Sequence, residues 1–461
     1  MFVALRHRNF RLLWIGLLIS FSGSLMQSAA ILWHVSLLVP DDRRALALGM
    51  VGLVRVVPII FFSLLSGVAA DVFDRRKLML VTQSVSALLA AALAILTWRG
   101  LGSVWPVYAI AAAGSAAGAF DLPARQSLVP NLVPREHLAN ALSLNTIMFQ
   151  VAAVSGPAAG GIVIGQLGVG WAYALNAASF LVVIAALLMM RDVAARAPHP
   201  TDDGTAPASR RPDFTIAAAL DGLRFVFRAP LIRSTMLLDF FATFFSSATA
   251  LLPLYAQDIL NVGANGYGWL YAAPAAGAIL TSAVMVRAVD VIKRRGPVLL
   301  VAVMAYGAAT IGFGLSRHFW LSFACLAATG ATDTVSMVFR NLIRQMETPD
   351  HLRGRMTGVN MIFFMGGPQL GELEAGLVAN WAGPVVSVVT GGIGCMIATG
   401  WIASTTPALF AYRREDQQED RRSAEFSSKR TPELLPSREQ LPPPGDIEAA
   451  GIAVRESGEP D

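Results

Sequence analysis

Six ionisable side chains stand inside long apolar runs of the sequence: His34, Arg55, Asp239, Asp333, Glu372 and Glu374. A charge at the centre of a bilayer costs about 2.5–3.5 kcal/mol on insertion scales, so such groups persist mainly where they are paired or used. Carboxylates in that setting exchange protons when a neighbouring cation approaches or withdraws. All six are candidates for proton coupling. The plainer reading of Glu372 and Glu374 is that they face a wet cleft and couple to nothing.

Other chemistry is excluded by what the spacings lack. The histidines, His7, His34, His137, His199, His318 and His351, include no pair at metal-binding spacing, and no glycine-rich phosphate loop with a following lysine occurs. No metal, nucleotide or other cofactor is expected, and a membrane-embedded enzyme finds no support. Cys325 and Cys395 lie in apolar segments and read as inert core thiols rather than as a disulfide.

The elements that position the six groups must be membrane helices. Hydrophobic residues make up 54% of the 461, charged residues only 15%, and the mean hydropathy is +0.55. Windows of roughly 20 apolar residues mark twelve spans, at 12–39, 45–70, 78–98, 104–122, 138–165, 169–190, 231–256, 266–289, 297–316, 318–340, 355–380 and 384–410. In lipid each must be a helix, because only a helix satisfies its own backbone groups without a partner strand. The first span is too long for the apolar core of a signal peptide and reads as a helix that stays.

Basic residues set the sides. Clusters within 6–11, 75–77, 125–135, 191–228, 287–295 and 340–355 alternate with connections that hold only Arg43, Arg44, Arg99 and Arg317. Both termini are therefore expected in the cytoplasm, with the chain in the inner (plasma) membrane. The net charge of +5 is a topology signal and not a nucleic-acid face. At about 1.5 Å per residue along each helix, His34, Arg55, Glu372 and Glu374 fall in the extracytoplasmic half, with Asp239 and Asp333 nearer the cytoplasm.

The expected organisation is a six-helix bundle over 1–190, a Pro-rich polar linker over 191–230, a second six-helix bundle over 231–410 and a charged tail over 411–461. The tail lacks a periodic apolar face and reads as disordered. An internal repeat supports the division. Arg125 is followed by Pro134 and Asn145, and Arg340 by Pro349 and Asn360 at the same spacings; Gly156-Pro157 is echoed by Gly367-Pro368.

Three stretches carry motifs. Gly67-Val-Ala-Ala-Asp71-Val-Phe-Asp74-Arg75-Arg76-Lys77 forms a tight charged turn between spans two and three. Arg75 and Arg76 suit simple positive-inside anchoring, which leaves Asp71 unexplained; pairing across the halves in one conformation only would account for all three. Phe120-Asp-Leu-Pro-Ala-Arg125 ends span four, and Gly156-Pro157-Ala-Ala-Gly160-Gly161 lies in span five, where small residues permit close helix approach and proline bends the helix.

With these residues the chain resembles the major facilitator superfamily, in the exporter branch that includes the enterobactin exporter and bacterial multidrug and macrolide efflux proteins. It departs from the signature turn at Val72, where an Arg is usual, and at Asp74, where a Gly is usual. The resemblance implies an all-α integral membrane fold of twelve transmembrane helices in two pseudo-symmetric six-helix bundles that alternate access. It assigns gating to Gly67, Asp71, Arg75, Arg76, Arg125, Gly156, Pro157, Gly160 and Gly161. Helices two and eleven face each other in that fold, so Arg55 is expected to pair with Glu372 or Glu374 and close an outer gate. The cavity is expected to be lined by Phe21, Ser24, Gln27, Trp33, Thr243 and Ser246, a mixture that suits large amphipathic compounds, cationic ones included. An acid in span one, present in many proton-coupled multidrug exporters, is missing. The implied function is proton-coupled antiport that exports a drug, macrolide or siderophore, by a monomer whose partners are its substrate, protons and membrane lipids. Alternatives are a nutrient importer or facilitator, and a non-transporting receptor or scaffold.

Overall fold

A computed structural model describes residues 2–191, 224–349 and 352–413; for 63–65, 67–72, 353–355, 357–358 and 361–362 the backbone alone is described. Most of the expected linker over 191–230 and tail over 411–461 lies outside the described residues, as do the side chains of Gly67 and Asp71. The long helices are α1 (Arg8–Leu38), α2 (Arg44–Val72), α3 (Arg75–Trp98), α4 (Trp105–Leu128), α5 (Arg135–Leu167), α6 (Val169–Met189), α7 (Pro230–Phe245), α8 (Gly263–Val291), α9 (Arg295–Leu315), α10 (Phe319–Glu347), α11 (Arg353–Ala382) and α12 (Pro384–Thr405). Eleven described stretches are long and apolar enough to cross a bilayer. The twelfth long helix is α11, whose 30 residues include Glu372 and Glu374.

Local sequence explains the ends and breaks. Asp74, the residue that departs from the signature turn, caps α3: its Oδ1 accepts from the Lys77 backbone N at 3.0 Å. Span seven, expected as one continuous helix over 231–256, instead stops at Phe245. It continues as short turns, Thr249–Leu251 and Leu252–Leu254, and a π-helical turn, Tyr255–Ile259. Pro253 has no N–H to give to the carbonyl four residues back, and it sits in the first turn of a restarted helix where that N–H is not needed.

Within the first six helices α1 packs on α5 and α6, α3 on α4 and α6, and α2 on α4; within the second six, α10 packs on α8 and α9, and α12 on α9 and α7. The halves meet through two helix pairs, α2 with α11 and α5 with α8. Both pairs close on glycine. A Cβ added to Gly161 would lie 2.7 Å from the Cα of Gly268, and one added to Gly376 would lie 2.6 Å from the Cα of Gly49. Flanking contacts match as well: the Gly161 site meets the Ala264 carbonyl and the Gly376 site the Ala45 carbonyl, both at 2.7 Å. Gly268 follows Gly49 by 219 residues, as Ala264 follows Ala45; Gly376 follows Gly161 by 215, as Arg340 follows Arg125. The two seams are thus copies related by the pseudo-twofold. The Gly-Pro echo, at 211 residues, is out of this register by one helical turn.

The core divides along the helix axes. At the end far from the termini one apolar cluster runs through both halves, from Met26, Leu32, Leu48 and Tyr173 to Leu251, Tyr255, Tyr267, Leu270 and Ala375. At the terminal end there are separate clusters, one around Phe10, Leu13, Met79, Leu128 and Leu144, another around Leu238, Leu299, Phe339 and Ile343. Accordingly α5, buried against α8 at Gly161, exposes Leu142, Ile147 and Phe149 nearer its start. Among the described residues the molecule is closed at the far end and parted at the terminal end.

Because the Gly161 and Gly376 contacts are backbone against backbone, no side chain can yield to an added methyl. Gly161→Ala or Gly376→Ala is expected to penalise the closed far end by about 1–3 kcal/mol, shifting the population toward the opposite conformation. Distances between spin labels placed across the far end check this; an unchanged distance distribution in both variants would contradict it.

Candidate translocation path and its charged clusters

The closed end is held by polar contacts laid over the shared core. Trp33 and Tyr267 pack with ring centroids 5.1 Å apart, and Tyr267 Oη donates to the Ala29 carbonyl at 2.8 Å. Gln257 Nε2 donates to Ser36 Oγ at 2.8 Å, and Arg44 Nη1 donates to both Asp258 oxygens at 3.1–3.2 Å while its Nη2 meets Asp41. Arg44 and Asp258 come from opposite halves, and the π-helical turn after α7 places the acid there. His34 is buried with Nδ1 3.1 Å from Tyr173 Oη.

Below this lid, Glu372 is buried in the α2–α11 seam. Its side chain lies against Gly52 of α2, and its Oε2 has no hydrogen-bond partner. Arg55, one turn along α2, acts on it electrostatically, as it does on Tyr267 and Tyr271 of α8. Glu374 is half-buried. The structure brings Arg55 and Glu372 to the same seam without a direct ion pair between them.

A second charged cluster lies wholly inside the second half. Arg340 Nη2 is 3.0 Å from Asp239 and 3.1 Å from Asp333, and Arg344 Nη1 is 3.6 Å from Asp239. Asn341 accepts from Arg344 at 2.6 Å and Asn360 of α11 accepts from it as well. Asp239, Arg340 and Arg344 are each no more than 3% exposed, whereas the Asp333 side chain is 41% exposed. Two acids and two arginines make the cluster neutral, which is what permits its burial.

The first half has a looser counterpart on α4. Gly114 and Gly118 open onto empty space, and one and two turns farther along the same face stand Asp121 and Arg125. Asp121 Oδ1 accepts from Thr82 Oγ1 and Gln83 Nε2, both at 2.9 Å. The Arg125 guanidinium lies 4.2 Å from the centre of the Phe21 ring of α1, and Phe21 meets Phe149 of α5 edge-on.

A twelve-helix bundle with two glycine seams and buried charges between apolar walls is the frame of a membrane carrier. Residues 1–433 match the family described as transmembrane secretion effectors. The chain belongs to this family, within the major facilitator superfamily. It is 26% identical over 337 residues to the enterobactin exporter EntS of Escherichia coli O1:K1 / APEC, covering 72% of this chain and 77% of that one. It is also 26% identical over 368 residues to EntS of Salmonella choleraesuis (strain SC-B67), covering 79% and 82%. In fold it is similar to a bacterial homologue of the human lysosomal transporter Spinster in an inward-facing, unoccupied conformation, with TM-score 0.63, 15% identity and coverage of 87% and 96%. The POT family transporter PepTSo superposes with TM-score 0.66, 12% identity and coverage of 87% and 98%. This secretion effector is a multi-pass membrane transporter, not an enzyme.

The remaining expected residues fall in several places. Gly156 meets the Ser22 carbonyl and Gly160 meets Met26, both on α1, so of that glycine motif only Gly161 faces the other half. Pro157 lies inside α5 with its carbonyl against Gly268 of α8. Arg75 donates to the Ser127 carbonyl at 3.1 Å and Arg76 to the Leu188 carbonyl at 3.2 Å, which ties both to their own half. Ser24 is half-buried, Gln27 accepts from Asn176 at 2.7 Å, Thr243 donates to the Asp239 carbonyl at 2.8 Å, and Ser246 ends α7. Sequence reasoning took Arg340 and Arg344 as topology signals, yet they are the counter-ions of the buried acids. Their spacing from Asp333, seven and eleven residues along α10, puts all three on one helix face and was the available signal.

The two kinds of ion pair differ in expected weight. Asp239→Ala leaves the buried Arg344 without an acid and Arg340 with Asp333 alone, and should cost about 3–5 kcal/mol. Arg44→Ala removes a pair whose acid is half-exposed and should cost at most about 1 kcal/mol. Thermal unfolding of both variants in the same detergent checks the order; a larger loss at Arg44 would reverse the assignment of the buried cluster as the structural brace.

Proposed function

We propose that this secretion effector is a proton-coupled antiporter that exports an amphipathic small molecule, with both termini in the cytoplasm and the parted end facing inward. The distribution of Lys and Arg supports that orientation, and the chain then sits in the inner membrane as a monomer with its own two-half gate. The enterobactin exporters among its relatives support the reading of export over import and of a siderophore-like compound as a substrate.

The observation that carries the reading is the position of Glu372. A coupling acid must change its access to water between the two states. Asp239 is the weaker candidate, because its partners Arg340 and Arg344 belong to the same half and are not parted from it when the halves separate. Glu372 meets the requirement, because it is closed between α2 and α11 when the outer end is shut and is uncovered when those helices separate. Arg55 on the opposing helix makes the exchange directional: separation of the helices removes the cation from the acid. When the helices close again, Arg55 returns to the acid and drives its proton off toward the parted inner end, so that substrate leaving outward is exchanged for a proton carried inward, with Trp33, Tyr267, Arg44 and Asp258 forming the outer gate.

Export of a fluorescent amphipathic compound from cells expressing the chain should be abolished by a protonophore. Glu372→Gln should lose the protonophore-sensitive part, by at least about tenfold, while reaching the membrane at normal levels. Full, protonophore-sensitive export by that variant would remove Glu372 from the coupling; accumulation in place of export would favour an importer.

A further inference from the structure

The charges that face the parted end are not equally satisfied. Asp121 is held by Thr82 and Gln83, and Asp333 by Arg340. Arg125 differs: among the described residues none accepts a hydrogen bond from its guanidinium or forms a direct ion pair with it. Its contacts are the Phe21 ring, 4.2 Å away, and the field of Asp121 one turn earlier on the same helix. The Phe21 ring meets the guanidinium carbon and takes none of the N–H groups. Beside it Phe149 is half-exposed, and on the same face of α4 Gly114 and Gly118 leave an unfilled trough.

From this arrangement we infer that Arg125 is the recognition site for an anionic group on the transported molecule, and that the favoured substrates are aromatic anions. A guanidinium presents parallel donors that match a carboxylate, a phosphate or a phenolate, and such charge-assisted bonds are stronger than neutral ones. Phe21 and Phe149 offer flat apolar surface for the ring to which the anion is attached. The glycines of α4 provide room for the rest of the molecule. The cluster in the second half offers substrate no accessible rival cation, since the donors of Arg340 not bonded to Asp239 and Asp333, Nε and Nη1, are buried, and Arg344 is held by Asp239, Asn341 and Asn360. The inference rests on the reading of the parted end as the entrance for substrate, and it opposes the preference for cations that an aromatic cavity alone would suggest.

The test is equilibrium binding to the full chain in lipid nanodiscs, with empty nanodiscs as background and no pH gradient, using 1-naphthoate, its neutral amide and 1-naphthylmethylammonium. The wild type should bind 1-naphthoate about ten- to a hundredfold more tightly than the other two, the range expected for a hydrogen bond to a charged group. Arg125→Gln should remove that preference and leave amide binding unchanged, whereas Arg125→Lys should keep part of it and Phe21→Leu should weaken all three probes alike. A wild type that binds naphthoate no better than the amide, or not at all, overturns the inference, and so does a preference that survives in Arg125→Gln. Should Arg125→Gln fail to fold, Arg125→Lys decides: a point charge must discriminate several-fold less than the fork, and equal discrimination overturns the assignment. Because binding is read without transport, loss of proton-coupled export alone leaves this inference standing, and export without charge preference leaves only the transport reading standing.

Discussion

Backbone contact between glycines is the constraint on which the closed state depends. In lipid no hydrophobic effect draws one helix to another, so association relies on van der Waals packing, which rewards the closest approach. At Gly49 with Gly376, and at Gly161 with Gly268, the main chains themselves touch. Trp33, Tyr267, Gln257 and the Arg44–Asp258 pair then seal an end that these contacts have already brought together. Each of the four seam helices also carries an internal proline, at Pro58, Pro157, Pro274 and Pro368. Bent helices can meet at one end and diverge at the other without giving up the glycine contacts.

Electrostatics divides labour along the same lines. The Asp239, Asp333, Arg340 and Arg344 cluster is neutral, buried but for Asp333 and confined to one half, which makes it a brace within that half. Glu372 and Arg55 come from opposite halves and lie where the halves separate. A charge pair within a rigid body stabilises that body; one that spans a seam registers whether the seam is open. Polar burial in this protein therefore has two meanings, set by which bodies contribute the partners.

Much of the architecture was legible in the sequence, because a membrane helix is specified by length and apolarity alone. The spans fall where the apolar windows put them, and the repeat built on Arg125 and Arg340 agrees with the packing register. The break in span seven was not legible, since Ser246 to Pro253 is apolar enough to pass as helix and the loss of one N–H is a local event. The partners of Asp239 were missed for a different reason. Arginine near a helix end satisfies the positive-inside rule whether it faces water or turns inward, and only the helix facing it decides which. Asp74 shows the reverse case: a departure from a family pattern that the structure explains as a helix cap.

The register between the halves also breaks their equivalence at one point. Glu372 follows Pro157 by 215 residues, the same offset that relates Gly376 to Gly161, so the acid and the proline occupy corresponding places in the two seams. One seam is ionisable and its twin is chemically inert. On the proposed coupling through Glu372, protonation would act off the pseudo-symmetry axis, on α2 and α11 alone, with the α5–α8 side as a passive fulcrum. Two halves built on one repeat would then work as a lever with a single driven arm.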